Sequence, residues 1–462
     1  MRVKEIVKVT QGELIAGDRN KDIDLSKVST DSRSINKGDL FIALSGPNFS
    51  GSDFAQDAFR KGAIGVLAER YERPEKSGKR IVIKVKDATK ALQDIARAHR
   101  RAFDIPVIAV TGSNGKTTVK EMIASVLSAR YNVLKNEGTK NNHIGVPQTL
   151  LRLTKAHEVC VLELGTNHKG EIAALSGIAR PTGAVMTNIG PSHLEFLSDL
   201  DGVFEEKKDL LRSLDTKRAI AVLNGDDEYL SNIEDKGLTI IRYGLGEYND
   251  VSAKVLSSEV GRMRFLFNGR EEFELKALGV HNVYNALAAI AVGYAFGLGA
   301  KTIRKALAGY RPEAMRLDPL RVNGIDIIND AYNSNPLSMK TALDAIQSYP
   351  ARARWVVAGD MLELGESAEH FHRAAGELIA ESGIAGLVTF GALSKHMLSR
   401  AGERGMDRHN LWHCSSHDEI VDILKRVTRQ GDLVLVKGSR GMKLEKVIEK
   451  FKGPGARGQG PG

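Results

Sequence analysis

The chain has 462 residues, of which 42% are apolar, and a formal net charge of +9; at roughly 150 residues per domain this length predicts about three globular domains. No apolar run approaches the ~18 residues of a membrane helix, and the charged N-terminus lacks the apolar segment of a signal peptide. Two cysteines form neither a disulfide framework nor a zinc site. We therefore expect a cytoplasmic protein without membrane insertion. The positive charge suits an anionic partner such as a nucleotide, but aromatic residues make up only 6% and no nucleic-acid-binding motif is present, so we expect no nucleic-acid partner.

The first 86 residues predict a small α/β domain. Residues 39–44 and 80–85 are short apolar runs typical of strands, and residues 45–51 between them are rich in turn-forming residues. Residues 88–103 then follow helical periodicity, with Leu92, Ile95, Ala96 and His99 on one face.

Longer helices alternate with buried strands from there to about residue 311. Strands are predicted at 106–110, 159–163, 183–187 and 219–223, and helices at 117–129 and 283–296. This alternation is typical of βαβ units, so residues 87–311 predict a central domain built on a parallel sheet.

The pattern breaks near residues 310–312 and restarts. New strands are predicted at 325–328, 355–358, 387–390 and 433–436. Residues 312–452 therefore predict a C-terminal, Rossmann-like α/β domain. The Gly- and Pro-rich residues 453–462 are predicted to be a disordered tail.

A phosphate-binding loop follows the first strand of the central domain. Its residues are Gly112, Ser113, Asn114, Gly115, Lys116, Thr117 and Thr118. Glycines let a backbone curl around a phosphate at a helix N-terminus, the lysine can reach the β- and γ-phosphates, and Thr117 can ligate Mg²⁺. Val110 stands where the usual pattern has its first glycine, so this is a shortened variant.

Three further side chains are candidates for the same site. Glu163 ends a predicted strand, where ligands bind in open parallel sheets, and a carboxylate there suits Mg²⁺; a helix-capping role is the alternative. His193 follows another strand, but a structural loop histidine is an equal or better interpretation. Lys207 and Lys208 lie in a charged run that is usually a solvated helix face.

Together these residues resemble the Mur ligase family of peptidoglycan synthesis, over essentially the whole chain except the tail. The segments that carry the resemblance are residues 30–33 (TDSR), 136–147 (NEGTKNNHIGVP), 279–286 (GVHNVYNA), 329–336 (NDAYNSNP), 359–365 (GDMLELG) and 436–442 (VKGSRGM). The resemblance implies an ATP-dependent ligase that joins D-alanyl-D-alanine to UDP-N-acetylmuramoyl-tripeptide, and a monomer. The signature of the relative that adds diaminopimelate is absent.

The resemblance also implies residue roles. The implied metal ligands are Thr117 and Glu163 for one Mg²⁺, and His193 and a carbamylated Lys207 for a second. The implied catalytic residues are Lys116, Lys207 and His193. The implied nucleotide contacts beyond the loop are Asn282, Asn285, Arg316 and Asp330. The implied substrate contacts are Ser32 and Arg33 at the UDP end and Thr139, Asn141, Asn142 and Asn333 along the cleft.

Three alternative functions stay open at this point. Another ligase on the same scaffold, such as a folylpolyglutamate synthase, would use the same loop with a different amine. A regulatory nucleotide-binding module would lack ligation, but the intact set of Lys116, Thr117, Glu163, His193 and Lys207 speaks against it. A GTPase or kinase is disfavoured by the shortened loop and by the lack of a guanine-reading Asn-Lys-x-Asp motif.

Overall fold

A computed structural model describes residues 1–71, 80–214, 219–259 and 261–453. In these ranges the chain forms three separate β-sheets, of five, nine and six strands. The predicted three-part α/β organisation is therefore confirmed, while the exact domain boundaries stay a prediction. Beyond Gly453, the predicted disordered tail lies outside the described residues.

The N-terminal sheet is small and mostly parallel. Its elements are α1 (Val3–Thr10), β1 (Glu13–Ala16), β2 (Val28–Ser29), β3 (Leu40–Ile42), α2 (Ala55–Arg60), β4 (Gly65–Ala68) and β5 (Ile81–Lys84). The strand order is β1-β5-β4-β3-β2, with only β1 antiparallel to its neighbour. Both predicted strands are present as β3 and β5, whereas α1 was not predicted.

The central sheet carries nine strands. Its elements are α3 (Ala88–Arg100), β6 (Val107–Thr111), α4 (Lys116–Leu127), β7 (Val133–Lys135), α5 (Gly145–Leu151), β8 (Val159–Glu163), α6 (Glu171–Ala179), β9 (Gly183–Met186), α7 (Leu194–Leu197), α8 (Leu200–Arg212), β10 (Ile220–Asn224), β11 (Thr239–Gly244), β12 (Val251–Glu259), β13 (Arg262–Phe267), β14 (Glu271–Leu275), α9 (His281–Ala295) and α10 (Ala300–Ala308). The order is β14-β13-β12-β11-β10-β9-β6-β8-β7.

The central sheet is mostly parallel, as predicted, but it has an antiparallel extension at one edge. Strands β12, β13 and β14 pair antiparallel, and only β7 to β12 are parallel. In β13 the buried Met263, Phe265 and Phe267 alternate with more exposed residues. Such alternation is typical of an antiparallel strand that is buried on one face only, unlike the continuous apolar runs that identified the parallel strands.

The third sheet is parallel except at one edge. Its elements are β15 (Asp318–Val322), β16 (Ile325–Asp330), α11 (Pro336–Gln347), β17 (Arg354–Gly359), α12 (Ala368–Glu381), β18 (Gly386–Phe390), α13 (Lys395–Glu403), β19 (Leu411–Cys414), α14 (His417–Val427), β20 (Leu433–Lys437) and α15 (Glu445–Lys452). The order is β15-β16-β20-β17-β18-β19, with β15 antiparallel to β16.

Helices cover both faces of the third sheet. In β17, Val356 and Ala358 belong to a core that includes residues of α11 and α12, whereas Val357 joins a second core with α14 and α15. Since successive strand side chains point to opposite faces, continuous apolar runs like this one are buried on both sides. This is the layered arrangement that the apolar runs predicted.

The carboxyl ends of the parallel strands β6, β8 and β9 lie at the same edge of the central sheet. The phosphate loop follows β6, Glu163 is the last residue of β8, and the segment after β9 carries His193. The fold therefore brings three separate sequence positions together. No helix in the described ranges combines the length and apolar character needed to cross a membrane.

Candidate active site between the central and C-terminal sheets

A cavity of about 940 Å³ lies between the carboxyl ends of the central strands and the C-terminal domain. Every predicted nucleotide and metal residue lines it except Gly112 and Lys207, and so do the predicted substrate residues Thr139, Asn141, Asn142 and Asn333. Ser32 and Arg33 lie elsewhere. The cavity therefore collects residues that are more than 200 positions apart in the sequence.

The phosphate loop needs its two glycines for steric reasons. Gly112 and Gly115 have φ values of 147° and 80°, in the region that favours glycine. An added Cβ at Gly112 would lie 1.9 Å from Thr187 Oγ1, and one at Gly115 would lie 2.6 Å from Asn285 Oδ1. The loop therefore packs tightly against the end of β9 on one side and against α9 on the other.

Two backbone N–H donors of the phosphate loop already form hydrogen bonds within the protein. Ser113 N donates to Asn188 O, and Asn114 N donates to Asn188 Oδ1, both at 2.9 Å. The N–H groups left for an anion are those from Gly115 into the first turn of α4, which lack partners within the helix. The backbone donors left for an anion thus lie in the C-terminal half of the loop.

Lys116 folds back over its own loop. Its Nζ donates to Gly112 O at 2.7 Å and to Ser113 O at 3.0 Å. Burial lowers the pKa of Lys116, the charge of Glu163 opposes this, and Arg316 adds to the lowering. The ammonium is held at the cavity wall by two carbonyls, and it faces the space that an anion would enter.

Glu163 and Thr117 form a donor set that fits a divalent cation. Glu163 is 2% exposed; Oε1 accepts a hydrogen bond from Asn141 Nδ2 at 2.7 Å, and the buried Oε2 has no partner among the described residues. Thr117 Oγ1 accepts from Arg316 Nη2 at 3.0 Å. A buried carboxylate oxygen without a partner is costly unless a cation or proton satisfies it, and Mg²⁺ prefers one or two carboxylates together with phosphate oxygens.

His193 starts α7 in the left-handed conformation, with φ 54° and ψ 32°. Its Nδ1 lies 2.5 Å from Glu363 Oε2 of the C-terminal domain, and the hydrogen bond from His193 lowers the pKa of the Glu363 carboxyl. Its Nε2 has no hydrogen bond with any described residue. The ring thus has one nitrogen engaged and one free toward the cavity.

The charged run on α8 is a solvated face only in part, which corrects that interpretation: Glu205 is exposed, but the next two residues are buried. Glu206 and Lys207 are 4% and 2% exposed, and Glu206 accepts hydrogen bonds from Gly170 N and Ile172 N at the start of α6. Lys207 Nζ has neither a hydrogen bond nor an ion pair within the described residues. Burial lowers the pKa of Lys207 to about 7, and repulsion from Lys116 adds to the effect.

The predicted adenine contacts lie on α9. Asn285 Nδ2 donates to Asn282 Oδ1 at 3.1 Å, and Asn282 Nδ2 donates to Leu278 O at 2.8 Å. Burial and the nearby Lys437 charge lower the pKa of His281 to about 4. Two amides and a neutral imidazole offer donors and acceptors without charge, as recognition of a neutral base requires.

The C-terminal domain adds two predicted nucleotide contacts. The Arg316 guanidinium stacks 4.2 Å from the Tyr332 ring centre, which orients it toward Thr117. Asp330 Oδ2 accepts from Lys437 Nζ at 2.6 Å, and Oδ1 accepts from Leu317 N at 3.1 Å. Asp330 is therefore part of an ion pair with the buried Lys437 across the adjacent strands β16 and β20.

Polar contacts join the two domains around the cavity. Asn114 and Asn335 exchange two amide hydrogen bonds, at 3.2 Å and 2.9 Å, and Tyr332 OH donates to Thr139 Oγ1 at 2.7 Å. Asn335 also caps α11 through Ser338 N. The phosphate loop is thus attached directly to a helix terminus of the neighbouring domain.

Ser32 and Arg33 lie on the N-terminal domain outside this cavity. Arg33 Nη2 pairs with Asp31 Oδ2 at 2.8 Å, and its side chain is 88% exposed. The N-terminal domain contacts the central one at Gln148, whose Nε2 donates to Thr30 Oγ1 at 2.7 Å.

Several site residues received no role from sequence reasoning. Asn188 lies two residues beyond the end of β9, so the rule that placed Glu163 could have found it. Asn335 precedes Pro336, an N-cap signal. Glu206, Glu363 and Lys437 carried no such signal, because their partners are distant in sequence.

A shortened phosphate loop and a buried carboxylate that could hold a cation share this cavity with residues of the C-terminal domain, an arrangement that suits an ATP-dependent ligase. Three family models match the chain: the Mur ligase middle domain at residues 110–293, the Mur ligase glutamate ligase domain at 315–440, and the Mur ligase family catalytic domain at 24–100. The chain belongs to the Mur ligase family.

Sequence relatives match over nearly the full length. The chain is 37% identical over 450 residues to UDP-N-acetylmuramoyl-tripeptide--D-alanyl-D-alanine ligase of Bacillus subtilis, which covers 97% of both chains. It is 33% identical over 462 residues to the enzyme of that name from Escherichia coli, covering 97% of this chain and 98% of the relative.

Solved structures agree with the fold. MurF from Acinetobacter baumannii superposes with a TM-score of 0.87 at 29% identity and covers 98% of both chains. MurF ligase from Thermotoga maritima in complex with ADP superposes with a TM-score of 0.82 at 28% identity, covering 93% of this chain and 98% of that one.

Proposed function

We infer that this chain is an ATP-dependent, ADP-forming ligase that joins D-alanyl-D-alanine to UDP-N-acetylmuramoyl-tripeptide in peptidoglycan precursor synthesis. The observation that carries this conclusion is the near full-length match to ligases of that name. The cavity supports it, because the phosphate loop and Glu163 share one enclosed space with Arg316 and Asp330 of another domain.

The chemistry explains why ATP is consumed. A carboxylate does not react with an amine, because an oxide is no leaving group. A carboxylate oxygen of the tripeptide attacks the γ-phosphorus, the bond from that phosphorus to the bridging oxygen breaks, and ADP leaves. The amine of D-alanyl-D-alanine then attacks the acyl phosphate, loses a proton, and expels inorganic phosphate as the amide forms.

Each stage brings anions together, so charge neutralisation and positioning dominate the catalysis. We assign Lys116 to the transferred phosphoryl group, since its ammonium lies at the cavity wall beside free N–H groups. Asn282 and Asn285 would contact adenine, and Arg316 and Asp330 would contact the nucleotide from the C-terminal domain.

The substrate assignments follow the shape of the molecule. Ser32 and Arg33 would hold the UDP end on the N-terminal domain, where the exposed Arg33 can exchange its Asp31 partner for a phosphate. Thr139, Asn141 and Asn142 would lie along the peptide. Asn333 would lie near the reacting end of the cavity.

The metal assignments rest on the donor chemistry. Thr117 and Glu163 would hold one Mg²⁺, and His193 with a carbamylated Lys207 would hold a second. A divalent cation there supplies charge neutralisation for the transferred phosphoryl group. Such ions would bind to Glu163 Oε2 and His193 Nε2, which have no hydrogen-bond partner among the described residues.

The environment of Lys207 suits carbamylation. A pKa of about 7 leaves a large neutral fraction at neutral pH, and the neutral amine can attack CO₂ and release one proton to give an anionic carbamate. Lys207→Ala should lose most ligation and recover part of it with added acetate or formate. Lys208→Ala, on the same helix but 36% exposed, should behave like the wild type. No recovery with either carboxylate would argue against the carbamate.

We further propose a cytoplasmic monomer. The two buried cysteines, Cys160 and Cys414, are unpaired, as is usual in a reducing compartment.

One assay tests the function. ADP release and the ligated product are measured with ATP and UDP-N-acetylmuramoyl-tripeptide, with and without D-alanyl-D-alanine. We expect amide product only when all three substrates are present. Preferred use of glutamate with a folate substrate, or ATP hydrolysis independent of both acceptors, would contradict the assignment.

A further inference from the structure

A carboxylate of the C-terminal domain contacts His193 of the central domain. Glu363 Oε2 lies 2.5 Å from His193 Nδ1, and the two side chains are 41% and 20% exposed. Glu363 lies in the loop that follows β17, and His193 follows β9. The contact therefore joins the strand ends of two different sheets.

The backbones around this contact are closely fitted. Glu363 and His193 both adopt positive φ, at 62° and 54°, which is uncommon for residues other than glycine. Glu195 N donates to Glu363 O at 3.2 Å. A Cβ added at Gly365 would lie 3.2 Å from Glu195 Cα, so the two loops approach to van der Waals contact.

The loop that carries Glu363 is held firmly in its own domain. Met361 N donates to His372 Nε2 at 3.0 Å, and Leu362 N donates to Ser439 Oγ at 2.9 Å. His372 is fully buried. Because the two residues before Glu363 are bonded to two other segments of the C-terminal domain, the Glu363 carboxylate moves with that domain.

A carboxylate that accepts the Nδ1 proton of an imidazole leaves the Nε2 lone pair free and aims it, as is common for histidines that bind metals. His193 Nε2 has no hydrogen-bond partner among the described residues, and the ring lines the cavity. His193 thus has its Nδ1 engaged by a carboxylate and its Nε2 without a partner at the cavity.

We propose that Glu363 is a positioning residue for His193, so that docking of the C-terminal domain completes a divalent-cation site on the central domain. The inference rests on the proposed metal role of His193 and deepens it. It makes cation affinity at His193 depend on a residue that reaches it only when the two domains are in contact. The Thr117–Glu163 pair does not depend on Glu363 in this way.

Mn²⁺ serves as the probe, with full-length protein and a non-hydrolysable ATP analogue. Free Mn²⁺ is measured by electron paramagnetic resonance, and spin-echo modulation reports an imidazole nitrogen bound to Mn²⁺. Glu363→Ala should weaken the imidazole-coordinated Mn²⁺ by about 10–100-fold and leave the other Mn²⁺ unchanged. Glu363→Gln retains an acceptor oxygen, so its affinity for the imidazole-coordinated Mn²⁺ should lie between those of the wild type and Glu363→Ala. Glu366→Gln, an exposed residue in the same loop, should match the wild type.

A double-variant cycle separates positioning from a general structural effect. His193→Ala should remove the imidazole signal, and adding Glu363→Ala to it should cause no further loss of Mn²⁺. Additive losses, or wild-type Mn²⁺ affinity in Glu363→Ala, would overturn the inference. A changed KM for D-alanyl-D-alanine with unchanged Mn²⁺ binding would also overturn it and make Glu363 a substrate contact.

The outcomes distinguish this inference from the proposed function. Unchanged Mn²⁺ binding in His193→Ala would refute both the metal role of His193 and the role of Glu363. Ligation by the wild-type protein is measured separately and would stand in that case.

Discussion

Lys116 shows how much a single side chain depends on its surroundings. Its ammonium donates to two carbonyls of its own loop, and burial lowers its pKa. Anionic phosphates would stabilise its charged form and draw it away from the carbonyls. The residue is thus suited to respond to the ligand rather than to hold the loop together.

Lys116→Ala should therefore reduce ligation by at least ~10²–10³-fold, the usual effect of losing one preorganised charge donor. The fold should persist, because the side chain makes no apolar contact that defines the core. Steady-state ADP release with all substrates measures the first effect, and circular dichroism checks the second. Lys155→Ala, at an exposed loop position, is the control. Wild-type ADP release by Lys116→Ala would refute the site assignment.

His281 should make stability depend on pH. Its pKa is about 4 in the folded protein and about 6.5 in an unfolded chain. Between these values the unfolded chain binds the proton and the folded protein does not, so stability falls as pH falls from about 6.5 to about 4. Above pH 7 both states are neutral and the effect vanishes.

Replacing His281 by Gln should flatten that part of the profile. Urea unfolding at pH 7 and pH 4.5 gives the two free energies of unfolding for the wild type and the variant. The loss of stability on acidification should be smaller in His281→Gln. His409→Gln, at an exposed position, should leave the profile unchanged. Equal losses of stability in the wild type and His281→Gln would show that other groups dominate the pH dependence of stability.

At the scale of elements, the residues of the candidate site lie mainly at the ends of helices and strands. The first turn of α4 offers donors to an anion, and the ends of β6, β8 and β9 carry the loop, Glu163 and His193. Asn335 has two tasks at the start of α11: it caps the helix through Ser338 N, and its amide pairs with Asn114 of the phosphate loop.

Asn335→Ala should lose about 1 kcal/mol of stability as a lost N-cap, and kcat/KM for ATP should fall roughly tenfold because two amide hydrogen bonds to the loop are gone. Ser416→Ala is the matched control: Ser416 caps α14 through Glu419 N, away from the cavity. Both variants should lose similar stability in thermal melts, but only Asn335→Ala should lose activity. Equal activity in both would mean that the amide pair has no role in nucleotide use.

At the scale of the whole molecule, polar contacts bring the C-terminal domain over the phosphate loop. Side chains of Arg316, Tyr332, Asn335 and Glu363 form hydrogen bonds with the central domain, and Glu363 O also accepts one from the backbone of Glu195. Each contributes about 1 kcal/mol net, so domain contacts of this kind can open and close. Closure that excludes water would protect an acyl phosphate from hydrolysis.

The double variant Asn335→Ala/Tyr332→Phe should therefore open more readily. Small-angle X-ray scattering without nucleotide should give a larger radius of gyration than for the wild type, and an ATP analogue should reduce the difference. Gln148→Ala removes a contact between the N-terminal and central domains. Its radius of gyration should not show the same dependence on the ATP analogue. A radius of gyration equal to that of the wild type would mean that apolar packing alone holds the closed arrangement.

The sequence predicted the features that depend on neighbouring residues. Apolar runs buried on both faces gave strands β6, β8, β9, β17 and β20 within one or two residues. The strand–loop–helix order identified the phosphate loop, because its glycines and lysine act within one turn. The antiparallel strands β12 to β14 were not predicted, because a half-exposed strand alternates polar and apolar residues and its sequence resembles that of a surface loop.

Sequence alone thus determined the three-part α/β fold, the phosphate loop and, through family motifs, the ligase class. Only the tertiary structure decided that the charged run at Glu206 and Lys207 is buried, that Asn188 uses two donors of the phosphate loop, and that Glu363 reaches His193 from another domain. The physical reason is that burial, pKa and hydrogen-bond partners depend on groups up to 221 residues apart in the chain. Periodicity and local motifs describe a residue's neighbours along the chain, whereas the fold decides its neighbours in space.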